Sequence, residues 1–464
     1  MNTLELTGNN DTICAVSTPP GRGGIAVIRV SGPQALDIVG RRWQGKPLTD
    51  MATHTVHLGH LIDTSGDVLD QAVLTIYRAP HSFTGEDVVE LACHGSTWIQ
   101  QQAIQSLIDS GCRHAHAGEF TRRAFANGRM DLSQAEAVAD VIEAQSRAAH
   151  HVAMSQMRGR YSDELHRLRQ QLLHFVSLIE LELDFGEEDV TFADRGEVTA
   201  IAHDIHSLIG RLADSYRDGN AIKGGVPVAI VGQTNAGKST LLNALLGDDR
   251  ALVSDTHGTT RDTIEDTVIM DGTLFRFIDT AGIRQSTDTV ERMGIERTWQ
   301  AIDKASVVLW VVDVTSADIS MAHDIVTRCS DKHLIAVLNK TDLDDDIAAR
   351  SELQDLLPEG TPVVSISAKQ ESDVETLRAL IVKTAELPEV DNDAVIVTNA
   401  RHYQALTRAR DAIGRAIAGL DNGLSGDLLD QDIRECLHWL GEITGEITTD
   451  NILGEIFAHF CIGK

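Results

Sequence analysis

Five apolar runs, ending at Val231, Ile278, Val312, Leu338 and Ile366, alternate with helix-length segments, and four of them lead straight into a short polar loop. Runs apolar on both faces build a parallel sheet covered by helices, which confines residues 223–385 to an α/β domain. The first loop is Gly232-Gln-Thr-Asn235-Ala236-Gly237-Lys238-Ser239, a complete G-x-x-x-x-G-K-[ST] sequence between the run Val226 to Val231 and a helix-like stretch, Ser239 to Leu246. Without Cβ atoms at Gly232 and Gly237, the backbone wraps a phosphate chain and turns its N–H groups and the helix N-terminus toward the negative charge. Lys238 then reaches the terminal phosphates, and the Ser239 hydroxyl, with Thr240 beside it, is placed for Mg²⁺.

Four further signatures follow in order. Gly258-Thr259-Thr260-Arg261-Asp262 sets Thr260 to close over the Mg²⁺ as a first switch. Asp279-Thr280-Ala281-Gly282 ends the run Phe275 to Ile278, where a carboxylate holds Mg²⁺ and the Gly282 amide senses a γ-phosphate. Asn339-Lys340-Thr341-Asp342 resembles the guanine-reading motif of GTPases, whose Asp accepts from the guanine N1–H and amino groups. Adenine lacks that donor pair, so the nucleotide expected is GTP. Ser367-Ala368-Lys369 resembles the loop that backs the base. One departure bears on mechanism: Ile283 follows Gly282, where small signalling GTPases carry a water-orienting Gln. An aliphatic side chain cannot orient water. Asp288 and Glu291 are the acidic candidates nearby, with a solvated charge at a helix start as the alternative for either.

No stretch of eighteen apolar residues occurs, and the first residues lack a basic flank and an apolar core, so neither a membrane span nor a signal peptide is expected and the location expected is cytoplasmic. The six cysteines contain no C-x-x-C pair, which argues against structural zinc and a disulfide scaffold. His54, His57 and His60 step by three within a strand-like context and are expected to be hydrogen-bonded or solvated. A net charge of -29 opposes any general attraction to nucleic acid. Three Arg-rich stretches remain, at Arg122, Arg123 and Arg129, at Arg158 to Arg169, and at Arg401 to Arg415. Each reads as a local RNA contact or, more commonly, as a helix face balanced by acidic neighbours.

The expected fold class is multi-domain α/β and α. Residues 1–120 read as an N-terminal α+β domain, 121–222 as the first part of a helical domain, 223–385 as an inserted Ras-like P-loop α/β domain, and 386–464 as the second helical part. Leu165, Leu168, Leu172, Val176, Ile179 and Leu183 draw one apolar stripe along a long helix. The ending Cys461-Ile462-Gly463-Lys464 is no prenylation box, because Gly463 is not aliphatic, and Cys461 after two aromatics reads as a packed thiol.

Thr18-Pro-Pro-Gly-Arg-Gly-Gly24, Ser82-Phe-Thr-Gly-Glu-Asp-Val-Val-Glu90, Gly118-Glu-Phe-Thr-Arg-Arg-Ala-Phe125, the inserted nucleotide domain and the terminal Cys-Ile-Gly-Lys together resemble the MnmE (TrmE) family over nearly the whole chain. The resemblance implies a cytoplasmic, homodimeric GTPase that works with an FAD-dependent partner, MnmG (GidA), in a heterotetramer or larger complex. That complex builds a carboxymethylaminomethyl group at C5 of the tRNA wobble uridine. It implies a folate-binding and dimerising N-terminal domain, with 5-formyltetrahydrofolate or a related tetrahydrofolate contacted by Arg29, Glu90, Arg129 and Lys464; at Arg129 the family pattern often has Lys. It implies K⁺ activation through Asn235, Ser254, Thr256 and Thr259, in a GTP-facing loop that includes Asp255 and His257. It also implies Glu291 as the water-positioning residue and a role for Cys461 in the modification chemistry. Two alternatives stay open: a ribosome-assembly GTPase switch without modification activity, and a folate-dependent one-carbon transferase acting alone.

Overall fold

The computed structural model describes residues 11–185, 195–247, 265–278, 291–316, 319–344, 347–387, 395–422, 424 and 426–464. The chain divides into two compact units, one made of Met1–Ala139, Gln156–Ser207 and Ala405–Lys464, the other of Asp140–Ser155 and Leu208–Gln404.

Among the described residues the first unit contains a seven-stranded sheet of β1 (Ile13–Val16), β2 (Ile25–Ser31), β3 (Trp43–Gln44), β4 (Thr55–Ile62), β5 (Val68–Tyr77), β6 (Val88–His94) and β7 (Arg113–His114), in the order β3-β4-β5-β6-β2-β1-β7. Strict alternation makes one face the core, where Ala26, Ile28 and Val30 meet Val89, Leu91 and Cys93 beneath the helix Thr97–Asp109. The same period sends Arg29 and Glu90 to the opposite face, directly across from each other. It also separates His57 from His60 by an odd step, so β4 turns them to opposite faces; the His57 ring bonds the Thr55 hydroxyl at 2.8 Å.

The helical part of this unit is built on the stripe read from the sequence. Leu165, Leu168, Leu172, Val176 and Ile179 are all buried along the helix Arg160–Phe185, which packs against the helix Gly426–Thr444. A smaller cluster ties the C-terminal helix Asp450–Ala458 to the start of the helical part, with Leu453, Phe457 and Phe460 packed on Leu132 and Ala135. Basic stretches are absorbed here by acidic neighbours. Arg415 pairs with Asp432 and Glu435, Arg169 with Glu446, and the Arg408 guanidinium lies 4.5 Å from the centre of the Trp439 ring.

The second unit holds β8 (Val226–Val231), β9 (Asp266–Met270), β10 (Thr273–Phe277), β11 (Val307–Asp313), β12 (His333–Asn339) and β13 (Val363–Ile366), in the order β13-β12-β11-β8-β10-β9. The five strands anticipated from the apolar runs pair in parallel, and apolar clusters pack on both faces of the sheet. An antiparallel edge strand, β9, is added to them. Its cause is local: Asp271 and Gly272 both adopt positive φ, the geometry of a tight two-residue hairpin.

Candidate functional site

The parallel strands of the second unit end together, so their loops meet at one edge of the sheet, where α/β folds hold ligands. After β8 the chain turns through Gly232 at φ +147°, and a Cβ there would stand 2.2 Å from the Val311 carbonyl oxygen. Gly237, at φ +95°, caps the helix Lys238–Leu246, and a Cβ on it would meet the Asn339 side-chain nitrogen at 2.2 Å. Both glycines are therefore required by close approach. Asn235 between them takes a left-handed φ of +66° and is exposed. The loop closes around Lys238, whose ammonium donates to the carbonyls of Gly232 at 2.8 Å and Gln233 at 2.6 Å. Burial pushes the Lys238 pKa down.

Asn339 joins three loops. Its amide nitrogen donates to the Ala236 carbonyl at 2.8 Å, and its amide oxygen accepts from the Ala368 N–H at 3.0 Å, so the phosphate loop and the Ser367-Ala368-Lys369 loop share one buried anchor. The Ser367 hydroxyl donates to Asp342 Oδ1 at 2.8 Å, fixing the carboxylate expected to read guanine. The Lys369 ammonium stands 4.0 Å from its other oxygen. Asp373 in turn accepts the Ser367 N–H at 2.8 Å. Lys340 pairs with Asp313 at the end of β11. Neither Asp313 nor Asp373 was expected from the sequence; the available signal for Asp313 was an acid closing the apolar run Val307 to Val312 at the same sheet edge as the other loops.

Ser239 and Thr240 sit in the first turn of the helix Lys238–Leu246. The glycine cradle and this helix start fit a Mg²⁺-bound nucleoside phosphate in the donors they present. Ser254, Asp255, Thr256, His257, Gly258, Thr259, Thr260, Asp279, Thr280, Ala281 and Gly282 lie outside the described residues, as do Ile283 and Asp288. Glu291 opens the helix Glu291–Lys304, and its side chain is likewise outside them.

A second constellation lies in the first unit. Arg29 donates to Glu90 Oε1 from Nε at 2.9 Å and from Nη2 at 2.8 Å, and from Nη1 to the Gly463 carbonyl at 3.5 Å. Its guanidinium is held against aromatic rings, 5.2 Å from the centre of Phe83 and 5.6 Å from that of Phe120. Burial, and then the Glu90 charge, push the Tyr77 phenol above its usual range. The chain's end runs along this site. Ala117 bridges to Ile462, the Ser17 hydroxyl donates to Gly463 O at 3.0 Å, and a Cβ on Gly463 would stand 2.3 Å from Val16 O. Of the four residues expected together, Arg29 and Glu90 are paired, and the half-buried Lys464 follows Gly463 in the chain. Arg129 is exposed, and its aliphatic stem packs on Gly85, in the same loop as Phe83.

Cys461 corrects the expectation of a packed thiol. Phe457 and Phe460 take the buried positions, and Cys461 is exposed, whereas the other five cysteines are buried. Of the first Arg-rich stretch, Arg123 is also not surface: it is 4% exposed and pairs with Asp11, Glu86 and Glu119. Burial would raise the Glu119 carboxyl, but Arg113, the His116 N–H and Arg123 hold it at about 2. Among the described residues, no helix is long and apolar enough to cross a membrane.

The profile for the GTP-binding protein TrmE N-terminus matches residues 12–129, and that for the MnmE helical domain matches residues 132–461. The chain is 52% identical to the tRNA modification GTPase MnmE of Bacteroides thetaiotaomicron, across 98% of this chain and 100% of that one. It is 53% identical to the protein of the same description in Bacteroides fragilis and 51% identical to that of Parabacteroides distasonis, in both cases over 98% of this chain and 100% of the relative. With both profiles matched in sequence and half of all positions identical over its length, the chain belongs to the MnmE (TrmE) family.

Proposed function

We propose that this chain is a K⁺-dependent GTP hydrolase of tRNA modification that acts as a homodimer with the FAD-dependent MnmG (GidA), attaching a carboxymethylaminomethyl group to the wobble uridine. The observation that carries the GTPase reading is the Asn339 anchor, which joins the phosphate loop to the base-backing loop through Ala236 and Ala368. Asp342, fixed by Ser367, is oriented for the guanine edge. Lys238 and the loop amides neutralise phosphate charge, which is the larger part of catalysis in phosphoryl transfer. Mg²⁺ would be held by Ser239 and Thr260, and K⁺ by Asn235, Ser254, Thr256 and Thr259. A monovalent cation there offsets charge that other GTPases offset with an arginine. The left-handed, exposed Asn235 leaves its amide beside the phosphate loop and suits that role. Glu291 stands in for the Gln that Ile283 replaces, as the group that positions water.

The Arg29 and Glu90 pair, walled by Phe83 and Phe120 and edged by the C-terminal tail, suits a flat, carboxylate-bearing ligand such as a tetrahydrofolate. Bound there, the folate would supply a one-carbon unit; Arg129 and Lys464 add cationic charge, and the exposed Cys461 lies on the same tail. The dimer reading is supported by the other end of the sheet face that carries Arg29. On β4 it exposes Val56 (64%) and Leu58 (66%), and Leu58 pairs with Val73 of β5, which is aligned with Ala92 and Val27, an apolar row that a second copy would cover.

Turnover measured in K⁺ and in Na⁺, for the wild type and Glu291→Ala, tests the hydrolysis reading. Equal rates in both salts reject the K⁺ role, and unchanged turnover in the variant rejects Glu291. Titration of 5-formyltetrahydrofolate into wild type and Arg29→Ala tests the second site; equal affinity for both would remove it.

A further inference from the structure

We propose that Asp313 is a positioning residue for guanine-nucleotide affinity, acting through Lys340 and not on the chemical step; the inference rests on the GTP reading above. Asp313 ends β11 and sits in register with Asn339 at the end of β12, so the acid stands beside the base-reading loop. Both of its oxygens are engaged. Oδ1 accepts from the Thr315 N–H at 3.0 Å and from the Thr315 hydroxyl at 2.8 Å, and Oδ2 takes the Lys340 ammonium. The carboxylate is only 12% exposed, and burial would raise its pKa, yet Lys340 and Thr315 outweigh burial and hold it below the usual carboxylate range.

The ion pair fixes a side chain whose backbone is itself constrained. Lys340 has φ +72°, a left-handed conformation that a non-glycine residue keeps only where its surroundings impose it. The Lys340 carbonyl accepts from the Leu343 N–H at 2.9 Å, and the Thr341 N–H reaches the Ile366 carbonyl at 3.3 Å. With the backbone set and the ammonium tethered to Asp313, the four-carbon stem is held at both ends. A lysine stem held in this way gives a purine ring a flat apolar surface to lie against, at little ordering cost on binding. Without the tether, the ammonium is free to leave, and each binding event must order the stem. Asp313 thus sets affinity for the base, while the phosphate loop, Lys238 and the metal site are untouched.

The test uses the full chain and a fluorescent guanosine diphosphate. Asp313→Asn keeps the shape and an acceptor for Thr315 but removes the charge. It is expected to weaken binding roughly ten- to a hundredfold, with KM for GTP rising and kcat retained. In a Lys340→Met background the same change is expected to have no further effect on affinity. Asp313→Glu, which keeps the charge but shifts it by a methylene, is expected to fall between Asp313→Asn and the wild type and serves where the Asn variant does not fold. Affinity within twofold of wild type for both Asp313 variants overturns the proposal, and so does equal weakening by Asp313→Asn with and without Lys340, or a fall in kcat at unchanged KM. Wild type that binds no guanosine diphosphate overturns the GTP reading itself.

Discussion

Gly463→Ala tests whether the C-terminal tail is a built part of the first unit. Gly463 has φ +97°, and its added Cβ would meet Val16 O at 2.3 Å, Ser17 Cα at 2.9 Å and Val16 C at 3.0 Å. Those neighbours are backbone at the end of β1 and just beyond it, where the Ser17 N–H is bonded to Val27 O, and they do not step aside, so the tail must move. Moving it loses the Ser17 bond at 3.0 Å and weakens the Arg29 bond at 3.5 Å. At about 0.5–1.5 kcal/mol for the Ser17 bond, about half that for the longer Arg29 bond and about 1–2 kcal/mol for a side chain in the left-handed region, the local cost is roughly 2–4 kcal/mol. The cluster of Leu453, Phe457 and Phe460 on Leu132 and Ala135 lies upstream and is unaffected, so the loss is confined to the final residues. Amide hydrogen exchange reads this directly: the N–H groups of Gly118 and Lys464, which both donate to Cys461 O, should exchange on the order of 30- to 1,000-fold faster, while the core of the sheet keeps its protection. Unchanged exchange at Gly118 and Lys464 would refute the steric argument. Loss of protection throughout β1 and β2 would refute the claim that the tail is an add-on to an independently stable sheet.

Removing the Asn339 anchor with Asn339→Ala strands the Ala236 carbonyl and the Ala368 N–H, at about 1–3 kcal/mol for each group left buried and unpaired; denaturant unfolding should show the loss together with weaker guanine-nucleotide binding. Ser367→Ala frees Asp342 at one oxygen without touching the phosphate loop, so discrimination between GTP and ATP should fall more than total nucleotide affinity, as competition binding would reveal. Glu119 carries a pH dependence whose sign follows from its depressed pKa. The folded carboxyl stays ionised to about 2, below its unfolded value, so its contribution is complete above the usual carboxylate range and is lost as pH falls through that range toward 2. Stability measured between pH 6 and pH 3 should therefore decline more steeply for wild type than for Glu119→Gln. Glu119→Ala, which deprives the 4%-exposed Arg123 of one partner, should cost about 3–5 kcal/mol at neutral pH.

What the sequence disclosed follows from the range of the interactions involved. The strands of the second unit and their loops were legible because an apolar run and the motif that ends it are contiguous: Gly232 and Gly237 announce a cradle within a span of six residues. The β9 hairpin has an equally local turn signal, Asp271-Gly272, but the segment before it lacks a buried run: Thr267 and Ile269 alternate with the buried Val268 and Met270. Asp313 and Asp373 were not legible. Each is an ordinary acid until the parallel register sets Asp313 beside Asn339, or the loop fold brings Asp373 to the Ser367 N–H.

The first unit shows the same limit at longer range, and it bears on how arginines in an acidic chain are read. With a net charge of -29, every Arg is a candidate for recruiting a polyanion, and Arg122, Arg123 and Arg129 look alike in sequence. Folding separates them. Arg123 is enclosed with Asp11, Glu86 and Glu119, so its charge is spent on holding the start of β1, the loop before β6 and the helix Glu119–Ala126 together. Arg129 keeps its head in solvent while its stem covers Gly85, whose φ of +78° and 3.2 Å clearance leave little room for a side chain. Arg29 is committed to Glu90 by a strand register that pairs residues 61 positions apart, and to Gly463 by a contact spanning 434. A cation already neutralised by a carboxylate attracts an anionic ligand only if that carboxylate also finds a donor on it. A ligand at Arg29 must therefore present hydrogen-bond donors to Glu90 as well as acceptors to the guanidinium, which a fully deprotonated anion such as sulfate does not do.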